Sequence, residues 1–329
     1  MLFSKKEIQI SINFPHSLET SLLISAFRLR TLPLALACIL LGSLISADRG
    51  SFSFVTLILM FLTASSYQVL SNLSNDYGDF ISGVDSKRSK GAEVRSVSSG
   101  NISSNQMKIA IRLSILGSIF LTVLTSYFGS FGFNEPIQIF LFFSFVGLVA
   151  IWAARDYTLG SSYGYKAWGD FFVIFFFGPV GVFGSFILQS KGFHFIVLLP
   201  SLSIGFLAAS VLNLNNMRDL KSDDQAWKKT IALILGERNA RVYQTILIFF
   251  SLLSAVCFMY MNGTTSRIDF LFLVLTPFFF QCAKEVWKAK SSKDFDKLLK
   301  PSAILCLLFS VFIGLGLLLD SHSSENFIF

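Results

Sequence analysis

Long runs of apolar residues, separated by short polar segments, extend over most of the chain. Most of these runs approach the length of about 20 residues that a helix needs to cross the hydrocarbon core of a bilayer. The runs cover residues 31–47, 52–74, 113–132, 136–154, 171–190, 195–216, 242–262, 270–283 and 302–319. The run at 270–283 is short and contains Pro277, and we expect it to continue as helix into the amphipathic stretch 282–290. The pattern predicts an all-α, polytopic membrane protein with about nine transmembrane helices.

The composition agrees with this interpretation. Hydrophobic residues make up 53% of the 329 residues and charged residues only 14%, and the mean hydropathy is +0.63. Soluble globular chains average about 25% charged residues. An ordinary cytosolic domain is therefore excluded.

Basic residues are distributed unevenly between the two sides of the predicted bundle. If the nine spans alternate in direction, all but three of the 27 Lys and Arg residues fall on the side of the N-terminus. The three exceptions are Arg49, Lys191 and Arg267. Because cytoplasmic segments are enriched in Lys and Arg, we expect a cytoplasmic N-terminus and an outer C-terminus. The net charge of +7 is attributed to this topology and not to a nucleic-acid partner.

One membrane domain is predicted, covering residues 21–320. A polar cytoplasmic segment, 1–20, precedes it, and a short outer tail, 321–329, follows it. Two long cytoplasmic segments, 75–112 and 217–241, are expected to cap the domain. Because long connections in a compact protein often carry functional residues, we expect the functional site in these two segments.

An acidic motif lies at the cytoplasmic end of the second predicted span. It reads NLSNDYGDFISGVD and covers residues 72–85. If the helix continues through the motif, residues four positions apart share one face. Two such pairs are present, Asn72 with Asp76 and Asn75 with Asp79.

A second acidic motif, NNMRDLKSDD at residues 215–224, lies at the end of the sixth span. Asp219 and Asp223 repeat the spacing of four, and Asp85 adds a carboxylate at the end of the first motif. Acids at the end of a single helix are often just a solvated flank. Here two motifs share the spacing of four, and each stands beside amide and basic residues. This pattern instead indicates Mg2+ held between two helices, because Mg2+ prefers oxygen ligands and bound phosphates.

Basic residues follow or surround both motifs. They are Arg88, Lys90 and Arg95 after the first motif and Arg218, Lys228 and Lys229 around the second. Arg and Lys side chains suit the binding of phosphate groups, although topology alone can account for any single Lys. Acids and bases at the mouth of an apolar bundle indicate a substrate with an anionic head and a long hydrocarbon tail.

A membrane transporter is the alternative from another functional class. Ion or proton pathways are marked by ionisable residues deep inside membrane spans. The nine predicted runs contain none. The pattern therefore favours an enzyme over a transporter.

Four stretches resemble the UbiA superfamily of intramembrane prenyltransferases, and in detail its 1,4-dihydroxy-2-naphthoate polyprenyltransferase branch. They are RLRTLPLA at 28–35, NLSNDYGDFISGVD at 72–85, YTLGSSYGYKAWGDFFVIFFFGPVGVFGS at 157–185 and NLNNMRDLKSDDQAWKKT at 213–230. In the 4-hydroxybenzoate branch, the last Asp of the first motif comes four residues after the preceding one. Asp79 and Asp85 are six apart, as in the naphthoate branch.

The sequence departs from the family pattern in two places. Trp227 stands where the family usually has Gly, directly before Lys228. The stretch from Ser86 to Glu93 lacks the usual Gly-Pro or Arg-Pro. Both departures concern loops and leave the expected metal ligands in place.

The resemblance implies a nine-helix bundle and a magnesium-dependent reaction at the cytoplasmic face of the cell (inner) membrane. A polyprenyl group would pass from polyprenyl diphosphate to 1,4-dihydroxy-2-naphthoate with loss of the carboxyl group. The product would be a demethylmenaquinol of menaquinone biosynthesis. Another acceptor, such as 4-hydroxybenzoate or haem, defines the alternative within the same superfamily.

The resemblance also implies roles for individual residues. The magnesium ligands would be Asn75, Asp79, Asp85, Asp219 and Asp223. The catalytic acids would be Asp76, Asp79, Asp219 and Asp223, with Asp76 beside the metal. The substrate-binding residues would be Arg30, Asn72, Arg88, Lys90, Tyr157, Lys166, Arg218 and Lys228. Arg30 would meet the naphthoate carboxylate or serve only topology, and Tyr157 would donate a hydroxyl or anchor the membrane interface.

Overall fold

The computed structural model describes residues 26–28, 31–85, 97–263 and 266–325. Outside these ranges lie the N-terminal segment 1–20, residues 326–329 of the expected tail and the expected substrate contacts Arg30, Arg88 and Lys90.

Within the described ranges the chain forms nine helices of 17 residues or more. They are α1 (Leu32–Asp48), α2 (Phe54–Ile81), α3 (Ser104–Ser130), α4 (Pro136–Asp156), α5 (Gly169–Ser190), α6 (Phe195–Gln225), α7 (Ile231–Met261), α8 (Ile268–Lys288) and α9 (Ser292–Glu325). The α6 helix is buried along most of its length and packs against α5, α7 and α9, while α1 packs against α2, α5 and α9.

The all-helical membrane architecture is confirmed. Eight helices of the described chain, α2 to α9, are long and apolar enough to cross a bilayer. The α1 helix is also apolar, but its 17 residues place it among the shorter helices. The expectation of nine spans, and of their orientation, therefore remains a prediction.

Several helices extend beyond the apolar runs that predicted them. The α2 helix continues to Ile81 and α6 to Gln225, so each acidic motif begins on a membrane helix. The α8 helix continues to Lys288, as expected. Hydropathy marks the part of a helix inside the hydrocarbon, whereas backbone hydrogen bonding continues into the polar region.

The two predicted cap segments are consequently more helical than expected. The α3 helix begins at Ser104, where Ser103 and Gln106 form a capping box. The α7 helix begins after Thr230, whose side chain accepts a hydrogen bond from the Leu233 amide. Polar side chains of this kind satisfy the free N–H groups of a helix start, a signal that hydropathy does not carry.

Close packing between α1 and α5 depends on a glycine. The middle of α5, Phe176–Phe183, is a π-helical turn around Pro179. At Gly42 of α1, an added Cβ would lie 2.1 Å from Ser185 Oγ and 2.2 Å from the Val182 carbonyl oxygen. The two backbones can approach this closely only because the side chain is absent.

Replacing Gly42 by Ala is therefore expected to destabilise the bundle by about 1–3 kcal/mol, the usual cost of overpacking a core. Thermal unfolding of the protein in detergent measures the effect. Gly117→Ala is the matched control, because a Cβ at Gly117 would meet nothing within 4 Å. Equal unfolding temperatures for the two variants would show that the α1–α5 contact is looser than described.

Candidate active site

A large cavity lies between the helices, with one end beside the two acidic motifs. Its volume is about 330 Å³. Along α2 its lining follows one helical face from Asp79 through Asn72 to Met60. At 1.5 Å per residue, Asp79 and Met60 are about 28 Å apart along the helix. The cavity is therefore nearly as long as the hydrocarbon core of a membrane is thick, which is about 30 Å.

The two ends of the cavity differ in chemistry. The end near the motifs is lined by Asn72, Asn75, Asp79, Tyr157, Asn215 and Lys228. The walls farther from the motifs are lined mainly by apolar side chains, among them Met60, Phe143, Phe176, Val180 and Leu188. The arrangement suits a molecule with a charged head and an apolar tail.

Lys228 joins the two acidic motifs. Its Nζ lies 3.7 Å from Asp79 Oδ1 and 3.7 Å from Asp223 Oδ1. All three side chains are buried. Since buried charges are stable only when they are paired, the ammonium group compensates the carboxylates of α2 and α6.

A tyrosine outside the predicted set completes this cluster. The Tyr165 hydroxyl donates a hydrogen bond of 2.7 Å to Asp79 Oδ1, and Lys228 Nζ lies 5.1 Å from the centre of the Tyr165 ring. Burial and then the charge of Asp79 raise the pKa of the Tyr165 phenol above its ordinary value. The phenol therefore stays protonated and remains a donor.

The segments that carry Tyr165 and Lys228 are paired through their backbones. The Lys229 amide donates to the Tyr165 carbonyl at 3.1 Å, and the Ala167 amide donates to the Lys229 carbonyl at 2.8 Å. Tyr165 also ends a short 3-10 turn, Tyr163–Tyr165. These contacts fix the connection between α4 and α5 against the connection between α6 and α7.

Asn75 and Asn72 occupy neighbouring turns of the cavity wall. Thr158 Oγ1 donates to Asn75 Oδ1 at 3.2 Å. Asn72 Nδ2 donates to the Phe27 carbonyl at 2.8 Å and to Thr31 Oγ1 at 3.0 Å. Asn72 thus connects α2 with the chain leading into α1.

Tyr157 lines the cavity next to these residues. Burial, and to a lesser extent the charge of Asp170, raises the pKa of its phenol well above the ordinary value. Added Cβ atoms at Gly164 and Gly169 would lie 2.7 and 2.8 Å from the Tyr157 side chain. Small residues therefore make room for a neutral phenol at the cavity wall.

Arg218 binds an acid of its own motif. Its Nε and Nη2 donate to the two Asp219 carboxylate oxygens at 2.9 and 2.7 Å. Its Nη1 donates to Asp296 Oδ1 at 2.9 Å, and Nη2 also donates to Asn215 Oδ1 at 2.7 Å. Arg218 therefore ties α6 to α9, and neither it nor Asp219 is among the cavity-lining residues of the described chain.

Asp76, Lys166 and Asp85 are the other expected residues within the described ranges. Asp76 is buried beside the cavity wall and Lys166 is exposed. Asp85 accepts a hydrogen bond from Ser98 Oγ. Within the described ranges, no three His, Cys, Asp or Glu side chains come close enough to form a metal cluster. The structure thus brings Asp79 and Asp223 together, but it does not assemble all five expected ligands in one group.

The donor chemistry at the cavity mouth nevertheless fits Mg2+. This ion is usually held by one or two carboxylates together with substrate phosphates, rather than by a complete protein cage. Asp79 supplies a carboxylate and Asn75 an amide oxygen to the cavity lining. The Asp223 carboxylate does not line the cavity in the described chain, but it lies next to Asp79 through the Lys228 ammonium group that both contact. A metal ion completed by phosphate oxygens is compatible with this set.

Trp227 adopts a backbone conformation that favours glycine. Its φ angle is +58°, and its side chain is 89% exposed. Residues other than Gly pay an energetic penalty of about 1–2 kcal/mol in this left-handed region. The φ angle explains why Gly suits this position. The Trp side chain is accommodated because it extends into open space.

Comparisons with known proteins agree with the architecture. The model of the UbiA prenyltransferase family matches residues 35–318. The 1,4-dihydroxy-2-naphthoate octaprenyltransferase of Haemophilus influenzae is 35% identical over 297 residues, which cover 89% of this chain and 94% of that protein. The protein of the same name from Escherichia coli is 32% identical over 313 residues, covering 93% and 98% of the two chains.

Solved structures share the fold at lower sequence identity. A UbiA homolog from Archaeoglobus fulgidus bound to GPP and Mg2+ aligns with a TM-score of 0.59 at 17% identity, covering 89% of this chain and 99% of that one. The apo structure of a UbiA homolog from Aeropyrum pernix K1 also gives a TM-score of 0.59, at 15% identity, with coverage of 91% and 98%.

Proposed function

This chain belongs to the UbiA prenyltransferase family, and from that premise we propose that it transfers a polyprenyl group from polyprenyl diphosphate to 1,4-dihydroxy-2-naphthoate. The acceptor is taken from the names of the relatives, which align over nearly their whole length. We further propose loss of the acceptor carboxyl group and a demethylmenaquinol product for menaquinone biosynthesis. The chain is an enzyme with prenyltransferase relatives.

The long cavity with a charged mouth is the observation that carries this proposal. Its apolar walls suit a polyprenyl tail, and its polar end offers the Asp79 carboxylate and the Lys228 ammonium group, which also pairs with Asp223, to a metal-bound diphosphate. The relative from Archaeoglobus fulgidus was solved with a prenyl diphosphate and Mg2+, which supports the same class of donor here.

Charged residues at the mouth are proposed to hold the donor head group. Asn75, Asp79 and Asp223 would hold Mg2+, with Asp85 and Asp219 as further members and Asp76 beside them. When bound, Mg2+ would stabilise the negative charge that develops on the leaving diphosphate. Lys228 would add a positive charge from the protein, and the further donors proposed are Arg88, Lys90 and Lys166.

The cavity walls are proposed to control the reactive end of the prenyl group. Departure of diphosphate leaves positive charge on the allylic carbon, and aromatic faces attract positive charge. Tyr157, Tyr163, Phe172 and Phe176 line the cavity. Apolar surroundings also exclude water, so the naphthoate ring is the nucleophile that remains, with Asn72 and Arg30 as its proposed contacts.

The proposed reaction takes place at the cytoplasmic face of the inner membrane. We propose nine spans, with α1 as the first, because its 17 residues fall within the range of about 17–25 residues seen for membrane helices. The strong bias of Lys and Arg toward one side supports a cytoplasmic N-terminus and acidic motifs facing the cytoplasm.

Incubation of the purified protein with a polyprenyl diphosphate, Mg2+ and one acceptor at a time tests the proposal. Prenylated product is expected from 1,4-dihydroxy-2-naphthoate, and chelation of the metal should abolish it. No product from the naphthoate, or preferential prenylation of 4-hydroxybenzoate, would refute the proposed acceptor.

A further inference from the structure

We infer that Tyr165 is a positioning residue whose phenol orients the Asp79 carboxylate for binding of the divalent metal at the cavity mouth. The inference rests on the proposed function and adds to it a residue that does not itself touch the substrate. Tyr165 acts through Asp79 and Lys228, which are the groups placed at the mouth.

Two side chains approach one carboxylate oxygen of Asp79. Asp79 Oδ1 accepts the Tyr165 hydroxyl at 2.7 Å and lies 3.7 Å from Lys228 Nζ. Two groups from two different connections thus approach the same oxygen. Together they restrict rotation of the carboxylate and determine the direction in which its second oxygen points.

The Tyr165 phenol is itself held in place. Ser82 Oγ lies 3.0 Å from the Tyr165 hydroxyl and also donates to the Asp79 carbonyl at 3.2 Å. The backbone of Tyr165 is fixed by its pairing with Lys229. An orienting hydrogen bond is effective only when its donor is rigid, and these contacts provide that rigidity.

A neutral phenol donates one hydrogen bond without adding a charge that would repel a metal ion. Hydrogen-bond partners of metal ligands orient those ligands, and removing such a partner typically lowers metal affinity or activity by about 10–100-fold. Tyr165 has the contacts expected of such a partner, although no spacing rule in the sequence connects it with Asp79.

The variant Tyr165→Phe isolates the hydroxyl, because the ring facing Lys228 and the backbone pairing both remain. Tyr243→Phe is a matched control, since the Tyr243 hydroxyl donates to Asp170 Oδ1 at 3.2 Å and Tyr243 does not line the cavity in the described part of the chain. Both changes remove one phenol–carboxylate hydrogen bond, but only the first removes it from Asp79.

The measurement is thermal unfolding of the detergent-purified protein during titration with Mg2+ and with Mn2+, in the absence of donor. For Tyr165→Phe, the metal concentration for half-maximal stabilisation is expected to rise about tenfold or more. For Tyr243→Phe it should match the wild type. The same titration followed by turnover should show the shift in the metal requirement of the variant.

A Tyr165→Phe protein that binds metal as tightly as the wild type, or more tightly, would overturn the inference. If that variant does not fold, the Ser82→Ala variant is used instead, because it frees the phenol to rotate. A smaller rise in the metal concentration for half-maximal stabilisation supports the inference, and an unchanged concentration overturns it. A wild-type protein with neither metal stabilisation nor prenyl transfer would overturn both the inference and the proposed function, whereas unchanged variants overturn the inference alone.

Discussion

Replacing Asp79 by Asn should reduce prenyl transfer by at least about 10²–10³-fold, the effect of removing one preorganised charge-stabilising group from an active site. The amide keeps the size of the side chain and can still accept the Tyr165 hydroxyl, but it removes the negative charge paired with Lys228. Loss of activity therefore reports the charge rather than the packing. The rate of product formation at saturating donor and Mg2+ is the quantity to measure.

Asp224→Asn is the matched control for this experiment. Asp224 directly follows Asp223 in the second motif, but its side chain is exposed. The control changes the net charge by the same amount and should retain wild-type activity. Comparable activity of Asp79→Asn and the wild type would remove Asp79 from the proposed metal site.

Replacing Lys228 by Gln is expected to affect both activity and stability. The buried carboxylates of Asp79 and Asp223 would lose the ammonium group that they share. Breaking a buried ion pair by removing one partner commonly costs about 3–5 kcal/mol. Since Lys228 is also proposed to bind the diphosphate, we expect a fall in kcat/KM of about 10²-fold or more. Unfolding in detergent and steady-state kinetics measure the two effects.

The adjacent residue provides the control. Lys229→Gln removes the same charge from an exposed side chain, and the backbone hydrogen bonds of residue 229 do not depend on side-chain identity. We expect near wild-type stability and turnover. If both variants lose activity to the same degree, activity depends only on the positive charge at this face. The contacts of Lys228 with Asp79 and Asp223 are then not required for turnover.

Much of the fold follows from hydropathy, but the helix ends do not. The apolar runs correspond to α1–α9. A helix that crosses a bilayer needs a long apolar segment, and the polar segments between such helices mark their limits in the sequence. The start of α3 at Ser104 and the start of α7 after Thr230 are instead determined by capping side chains at polar positions. Such local hydrogen bonds have no counterpart in a hydropathy pattern.

The centre of the site was partly predictable. Asp79 and Asp223 were identified by their spacing, and Lys228 by its place after the second motif; the structure brings these three together. The sequence does not reveal the role of Tyr165. This residue lies on a connection without periodicity, and its contact with Asp79 joins residues that are distant in sequence.

Arg218 makes contacts that differ from those expected from the sequence. As a base within an acidic motif, it was expected to contact the substrate, but in the structure it binds the adjacent Asp219 and also Asp296 of α9. The side chains of neighbouring residues on a helix point in different directions. The Arg218 guanidinium contacts the Asp219 carboxylate because the Arg side chain is long enough to bend toward it. Sequence spacing alone cannot separate this arrangement from phosphate binding.

Mass spectrometry of the quinones in cells that depend on this protein shows which acceptor the enzyme prenylates. We expect polyprenylated naphthoquinones that lack the acceptor carboxyl group, and their loss when the Asp79→Asn variant is the only copy. Cells that make the same naphthoquinones with that variant, or that contain prenylated benzoquinones and no prenylated naphthoquinones, would contradict this expectation.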